Sequence, residues 1–252
     1  MEACVRQSES VDLAEGTVLV AFPAEGFAAT LAAAYLVDEF RLRQVGVLDC
    51  EAVPSVAIVE RGKVVPPIRL LVGRDKGKAA ARHPLAVFLS EVPLPEESFR
   101  AVAAAILEWC VGNRVATVIA MESVATPGDP GEAPSSRLWG VANHPGFTAR
   151  LGKAGLPLAQ EGVVGGVTGS LLTQALDAPL AVVGLVETSR GAEPGIRGAS
   201  ALVEFLAKFL RLPVRLDRLH RETERFQKHL KEVEQRRFAA DDPSEPATRD
   251  FI

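Results

Sequence analysis

Four short runs, Thr17 to Phe22, Leu85 to Leu89, Val115 to Met121 and Leu180 to Val186, are nearly all apolar at odd and even positions alike and rich in valine. A strand has this pattern when both of its faces are covered, as in a parallel sheet with helices on each side. These four are predicted as central strands. Between them the period changes to three and four. Pro95, Glu96 and Glu97 supply a proline and acidic residues for a first turn, Phe99, Val102, Ala103, Ile106 and Cys110 recur at helical spacing, and Gly112 ends the run. Gly26 to Arg43 is predicted as a largely apolar helix, and Ala199 to Leu210 as a helix stopped by Pro213. Val45 to Cys50, Ser55 to Glu60 and Lys63 to Val72, with Arg61-Gly62 as a turn, predict a strand and a hairpin at one edge of the sheet. Alternating strands and helices in this order predict a three-layer α/β domain with a mixed sheet over residues 16–213.

Two stretches break the pattern. Glu122 to Arg137, with Pro127, Gly128, Pro130, Gly131 and Pro134, is polar and turn-rich and is predicted as a loop after a central strand, on the side where α/β proteins place their ligands. From Leu216 to Val233 the apolar positions follow a 3-4-3-4-3 spacing, and this predicts a long helix over 214–238 with a narrow seam in which Leu219, Phe226 and Leu230 need cover. Such a helix packs on its own subunit or on another. Residues 239–252 are polar, with four acidic side chains and one basic, and are predicted as a disordered acidic tail.

Charge and cysteine content narrow the partners. The chain of 252 residues carries 28 Lys and Arg against 32 Asp and Glu, a net charge of −4, which lacks the basic excess that binding to nucleic acid requires. Cys4, Cys50 and Cys110 are an odd number at wide spacing, which points to a cytoplasmic setting rather than a disulfide framework. No apolar run reaches about 18 residues, the length of a membrane span, and the acidic first fifteen residues do not read as a signal peptide.

The strongest candidate for binding chemistry is the glycine-rich stretch Gly162, Gly165, Gly166, Thr168, Gly169 and Ser170 ahead of the helical run Leu171 to Leu176. Its backbone N–H groups at a helix N-terminus, with the two hydroxyls, form a possible anion cradle. The competing reading gives these glycines to tight turning and close helix packing, since neither nucleotide-binding glycine pattern is present and no lysine follows. Glu25, Glu122 and Glu187 each follow or end a buried strand, so they either converge as an acid/base group or meet helix N-termini as ordinary carboxylates. His83, His144, His220 and His229 lack metal-ligand spacing, and Ser123 and Ser170 lack the context of a nucleophile elbow. No catalytic residue, cofactor or metal is therefore assigned.

The ordered segments Val18 to Phe40, Val118 to Ala125 (VIAMESVA), Arg137 to Leu158, Glu161 to Leu176 (EGVVGGVTGSLLTQAL), Gly184 to Ser189 (GLVETS) and Arg197 to Phe226 resemble the proteasome assembly chaperone 2 family. In this chain Ala24 and Glu25 occupy a first turn that is usually glycine-rich in that family, and Glu122 stands where a glycine is common. The resemblance implies a fold similar to the purine nucleoside phosphorylase-like arrangement. It also implies a non-enzymatic chaperone or adaptor that forms a homo-oligomer and binds 20S proteasome α subunits. The end of the chain, Asp250-Phe251-Ile252, is similar to the C-termini by which proteasome activators dock, and Phe251 and Ile252 are expected to add a secondary contact. Two other readings stand beside this one. One is a hydrolase or phosphorylase of a small nucleoside-like molecule on the same scaffold, and the other is an oligomeric α/β protein with a non-proteasomal partner.

Overall fold

The structure, a computed structural model, describes residues 2–24, 27–60, 62–73, 84–126, 135–190, 195–215, 217 and 221. The chain divides into two compact units, residues 1–214 and 215–252. In the first, eight strands form one sheet: β1 (Ala3–Gln7), β2 (Thr17–Ala21), β3 (Arg43–Cys50), β6 (Ile68–Val72), β7 (Leu85–Ser90), β8 (Thr117–Thr126), β9 (Ser135–Ala142) and β10 (Ala181–Arg190). Their spatial order is β1-β3-β6-β7-β2-β8-β10-β9. The four strands predicted as central lie side by side and parallel, with Thr17 opposite both Leu85 and Thr117, and Ala181 opposite Thr117. Antiparallel strands flank them on both sides.

Helices cover both faces, which is why the central strands are apolar throughout. Helices α1 (Ala28–Glu39), α3 (Pro145–Lys153) and α5 (Ile196–Phe209) lie on one face, and α2 (Phe99–Gly112) and α4 (Gly166–Gln174) on the other. Every side chain of β7 is buried, and Val18, Leu19, Val20 and Ala21 of β2 are within 2% of complete burial. Each Val or Leu so buried contributes about 1.5–3 kcal/mol. The close approach of helix to sheet requires small residues in places. At Gly184 of β10 a Cβ would lie 2.9 Å from Val141 and 3.1 Å from Leu172 of α4.

Helix ends repeat one device. Arg41, Arg114 and Arg211 each take positive φ just past α1, α2 and α5, and the next residue donates its N–H back into the last turn, as Val115 does to the carbonyl of Cys110 at 3.0 Å. Glycine is usual at this place. Here an arginine adds a positive charge beside the helix carbonyls, and the following Leu42 or Val115 buries itself against the sheet.

The structure corrects several boundaries. The two ends of the predicted loop Glu122 to Arg137 are strand, because β8 continues to Thr126 and β9 starts at Ser135, and residues 127–134 between them lie outside the described residues. Glu122 and Ser123 are held by helix ends and Ser136 by Glu187 of β10, which the sequence pattern does not reveal. The predicted strand Lys63 to Val72 breaks at Pro66-Pro67 into β5 (Lys63–Val65) and β6, since proline cannot donate to a ladder. β5 pairs with β4 (Ile58–Glu60) as a separate two-stranded ribbon, tied to the sheet through Arg69, whose guanidinium meets both Glu60 and Glu91. The first helix ends at Glu39, and β3 begins at Arg43.

Asn143, just past β9, holds three chain segments together. Its Nδ2 donates to the carbonyls of Ala175 at 2.7 Å and Leu180 at 3.0 Å, and its Oδ1 accepts from the N–H of Val182 at 2.8 Å. Asn143→Ala leaves the Leu180 carbonyl and the Val182 N–H without this partner, while the Ala175 carbonyl keeps the N–H of Ala178, and it is expected to cost about 2–3 kcal/mol, read by urea unfolding.

In the second unit, Asp217 and Arg221 are helical and form an exposed pair one turn apart at 3.2 Å. The seam residues Leu219, Phe226 and Leu230, and Phe251 and Ile252, lie outside the described residues.

Candidate functional site

β2 stops at Ala21, whereas its neighbour β8 runs on beside β10 to Thr126. Phe22 to Ala24 turn away at this point, and a cleft of about 420 Å³ opens at the carboxyl edge of the sheet against the N-terminus of α4. This is the crevice in which open α/β sheets carry ligands. Apolar walls come from Phe22, Leu94, Phe99 and Val124, and Glu122 and Gly166 lie at its back.

The alternation of side chains along β8 sends consecutive residues to opposite faces. Glu122 points to the α4 side, where the buried hydroxyl of Thr168 donates to its carboxylate. Gly166 sits beneath it with φ +65°, and a Cβ there would come within 2.8 Å of Glu122 Oε2. Burial pushes the Glu122 carboxyl up from 4.5 to about 7, and the Thr168 hydrogen bond draws it partly back. Ser123 points the other way, and its Oγ accepts the N–H of Ala29 at 2.7 Å. This completes the first turn of α1, whose own N-cap residue, Phe27, supplies no side-chain bond. Ser123→Ala removes a cap donated from another strand and is expected to cost about 1–2 kcal/mol, measurable as a drop in Tm.

Glu187 lies opposite Ser123 in the β8–β10 register, so it faces the α1 and α5 side. It is fully buried, with Oε1 accepting from Ser136 Oγ at 2.6 Å. Burial raises its carboxyl, and the hydroxyls of Ser136 and Ser189 lower it in part. A Cβ on Gly198, in the first turn of α5, would stand 2.3 Å from the Glu187 Cδ. Glu122 and Glu187 are thus on opposite faces with the sheet between them, each against a helix N-terminus, and they do not form a proton-sharing pair. Glu25 lies outside the described residues.

The glycine-rich stretch is helix from Gly166, so Thr168, Gly169 and Ser170 are in the first two turns of α4 rather than in a loop before it. The side of its N-terminus that faces the sheet is occupied by the chain's own Glu122 carboxylate. Gly165 has open space around it, and Gly162 has φ +146°. Gly169 packs so closely on the preceding loop that a Cβ would fall 2.1 Å from the Val164 carbonyl oxygen. His144 is the N-cap of α3, its Nδ1 accepting from the Gly146 N–H at 3.1 Å, a role signalled by the proline that follows it. Among the described residues no three His, Cys, Asp or Glu side chains gather as a metal group, and no helix is long and apolar enough to cross a membrane.

The sequence pattern of the PAC2 family matches residues 18–234. The chain belongs to the PAC2 family. An uncharacterized protein of Methanocaldococcus jannaschii is 22% identical over 227 residues, which cover 90% of this chain and 89% of that one. The fold of this PAC2 protein is shared with the crystal structure of Pyrococcus furiosus PbaA, an archaeal homolog of proteasome-assembly chaperone, at a TM-score of 0.77 and 22% identity, covering 94% of each chain. It is shared also with Pyrococcus furiosus PbaB, an archaeal proteasome activator, at a TM-score of 0.74 and 17% identity, covering 92% of this chain and 99% of that one. The three-layer, mixed-sheet architecture expected from the residues is therefore the one this PAC2 chain adopts.

Proposed function

We propose that this PAC2 protein is a non-enzymatic proteasome-assembly chaperone or adaptor that works in the cytoplasm as a homo-oligomer and binds 20S α subunits. The observation that carries this reading is the family match over residues 18–234, joined to a fold held in common with proteins described as a chaperone homolog and a proteasome activator. The polar groups at the sheet's carboxyl edge agree with it, because they are engaged in holding the scaffold. Ser123 caps α1, Thr168 binds Glu122, and Glu187 is sealed beneath α5.

The folded body makes the main contact with the α subunits, and Phe251 and Ile252 at the end of the polar tail add a second. Leu219, Phe226 and Leu230 form the seam between subunits. Affinity capture of the tagged full-length chain from its own cells, followed by identification of co-purifying chains, tests the assignment. Recovery of 20S α subunits is the expected result. Ending the chain at Thr248 is expected to weaken that recovery without abolishing it. Light scattering that gives a monomer at micromolar concentration would refute the oligomer. Phosphorolysis or hydrolysis of a nucleoside by the purified protein would favour the enzyme reading.

A further inference from the structure

The cleft at the carboxyl edge has a chemistry that the assembly role does not use. Its walls are apolar, with Phe22, Leu94, Phe99 and Val124 among them. Its charged lining among the described residues consists of two carboxylates, Glu122 at the back and Glu96 at the exposed rim, with no Lys, Arg or His. The Ser123 oxygen already accepts the Ala29 N–H.

This lining selects by charge. Among the described residues an anion would meet two carboxylates and no cationic side chain, at a helix N-terminus already answered by Glu122. A neutral apolar molecule would fill the walls but strip water from the Glu122 carboxylate while giving it no donor. A molecule with an apolar body and a protonated nitrogen satisfies both, and loses less by leaving water because its charge is paired on arrival. The volume of about 420 Å³ suits a ligand with one ring or a short branched chain.

We propose that the cleft is a binding site for a small organic amine, whose apolar body lies against Phe22 and Phe99 and whose ammonium group donates to the Glu122 carboxylate. The amine binds the ionised form of Glu122, so binding below about pH 7 expels the Glu122 proton, and affinity falls by up to about tenfold per pH unit in that range. Among the described residues the other titratable group at the cleft is Glu96, from the turn before α2, and those that α4, β8 and the turn after β2 bring alongside Glu122 are uncharged; Glu25, next to Ala24 in that turn, lies outside the described residues.

The test uses the full-length protein and three probes of one size, benzylamine, benzyl alcohol and benzoate, titrated by calorimetry or protein-observed NMR. Benzylamine is expected to bind at least about tenfold more tightly than benzyl alcohol, and benzoate more weakly than either. Glu122→Gln is expected to remove the advantage of the amine and its pH dependence while leaving the affinity for benzyl alcohol unchanged. Glu96→Gln, at the exposed rim, is expected to lower benzylamine affinity by less than about threefold. The proposal fails if benzylamine has no advantage over its neutral and anionic counterparts, or if Glu122→Gln leaves that advantage intact. An equal loss in Glu96→Gln and Glu122→Gln would place the attraction in a diffuse acidic surface and would also overturn it. Melting curves of both variants establish that they are folded, and capture of α subunits by Glu122→Gln reports separately on the assembly role.

Discussion

Gly198→Ala is expected to destabilise the protein by about 2–4 kcal/mol, although alanine is the better helix former. The new methyl group would lie 2.3 Å from the Glu187 Cδ and 2.5 and 2.7 Å from its two oxygens. The carboxyl cannot swing aside freely, because it is fully buried and Ser136 holds Oε1 at 2.6 Å. Either Glu187 gives up that bond inside the protein, or the first turn of α5 lifts from the sheet and exposes Ile196, Ala199 and their contacts. Both routes cost more than the gain in helix propensity, which is about 1 kcal/mol. The cause is one contact, so a double-mutant cycle isolates it. In a Glu187→Ala background the carboxyl is gone, and Gly198→Ala is expected to be nearly neutral, giving a coupling of about 2 kcal/mol or more by denaturant unfolding. Additive effects would refute the account.

Glu122→Gln is expected to stabilise the protein at about pH 8 by up to about 3 kcal/mol and to leave it unchanged at about pH 4. The folded state holds the Glu122 proton up to about pH 7, whereas the unfolded chain releases it near 4.5. Below 4.5 both states are protonated, and the group has no effect on stability. Between 4.5 and 7 the unfolded chain ionises first, so stability falls as pH rises. Above 7 both states are ionised, and the cost of holding a desolvated carboxylate is at its full value. Glutamine keeps an acceptor for the Thr168 hydroxyl and carries no charge, which removes that cost. The gain is smaller in proportion to the water that reaches the half-buried carboxylate. Glu187 is shifted in the same direction, so both proteins lose stability as pH rises, and the difference between them isolates Glu122. Urea unfolding across this range that showed a constant difference, or a larger one at low pH, would contradict the assignment.

The two carboxylates show where a reading of the sequence ends. Strand periodicity places Glu122 and Glu187 at the ends of buried strands, and the glycine-rich stretch from Gly162 stands at the start of α4. Whether two such residues share a face depends on the register between β8 and β10, and that is a matter of pairing across 60 or so residues of intervening chain. The register puts Glu187 opposite Ser123, and this single offset separates the carboxylates by the thickness of the sheet.

Local patterning determined much of the fold. Continuous apolar runs marked β2, β7, β8 and β10 because strands covered on both faces have no polar side, and a helical period with a proline and acidic start marked α2 because those groups match the free N–H groups of a first turn. The ordered motifs also determined the family. Only the tertiary structure decided that β8 extends beyond Met121 to Thr126, since a strand end with Glu122 and Ser123 becomes stable when α4 and α1 supply partners to those side chains and β10 pairs with its backbone. It alone decided that Gly166 accommodates the chain's own Glu122 and that Gly198 accommodates Glu187, because both fits are made between residues brought together by packing and not by their positions along the chain.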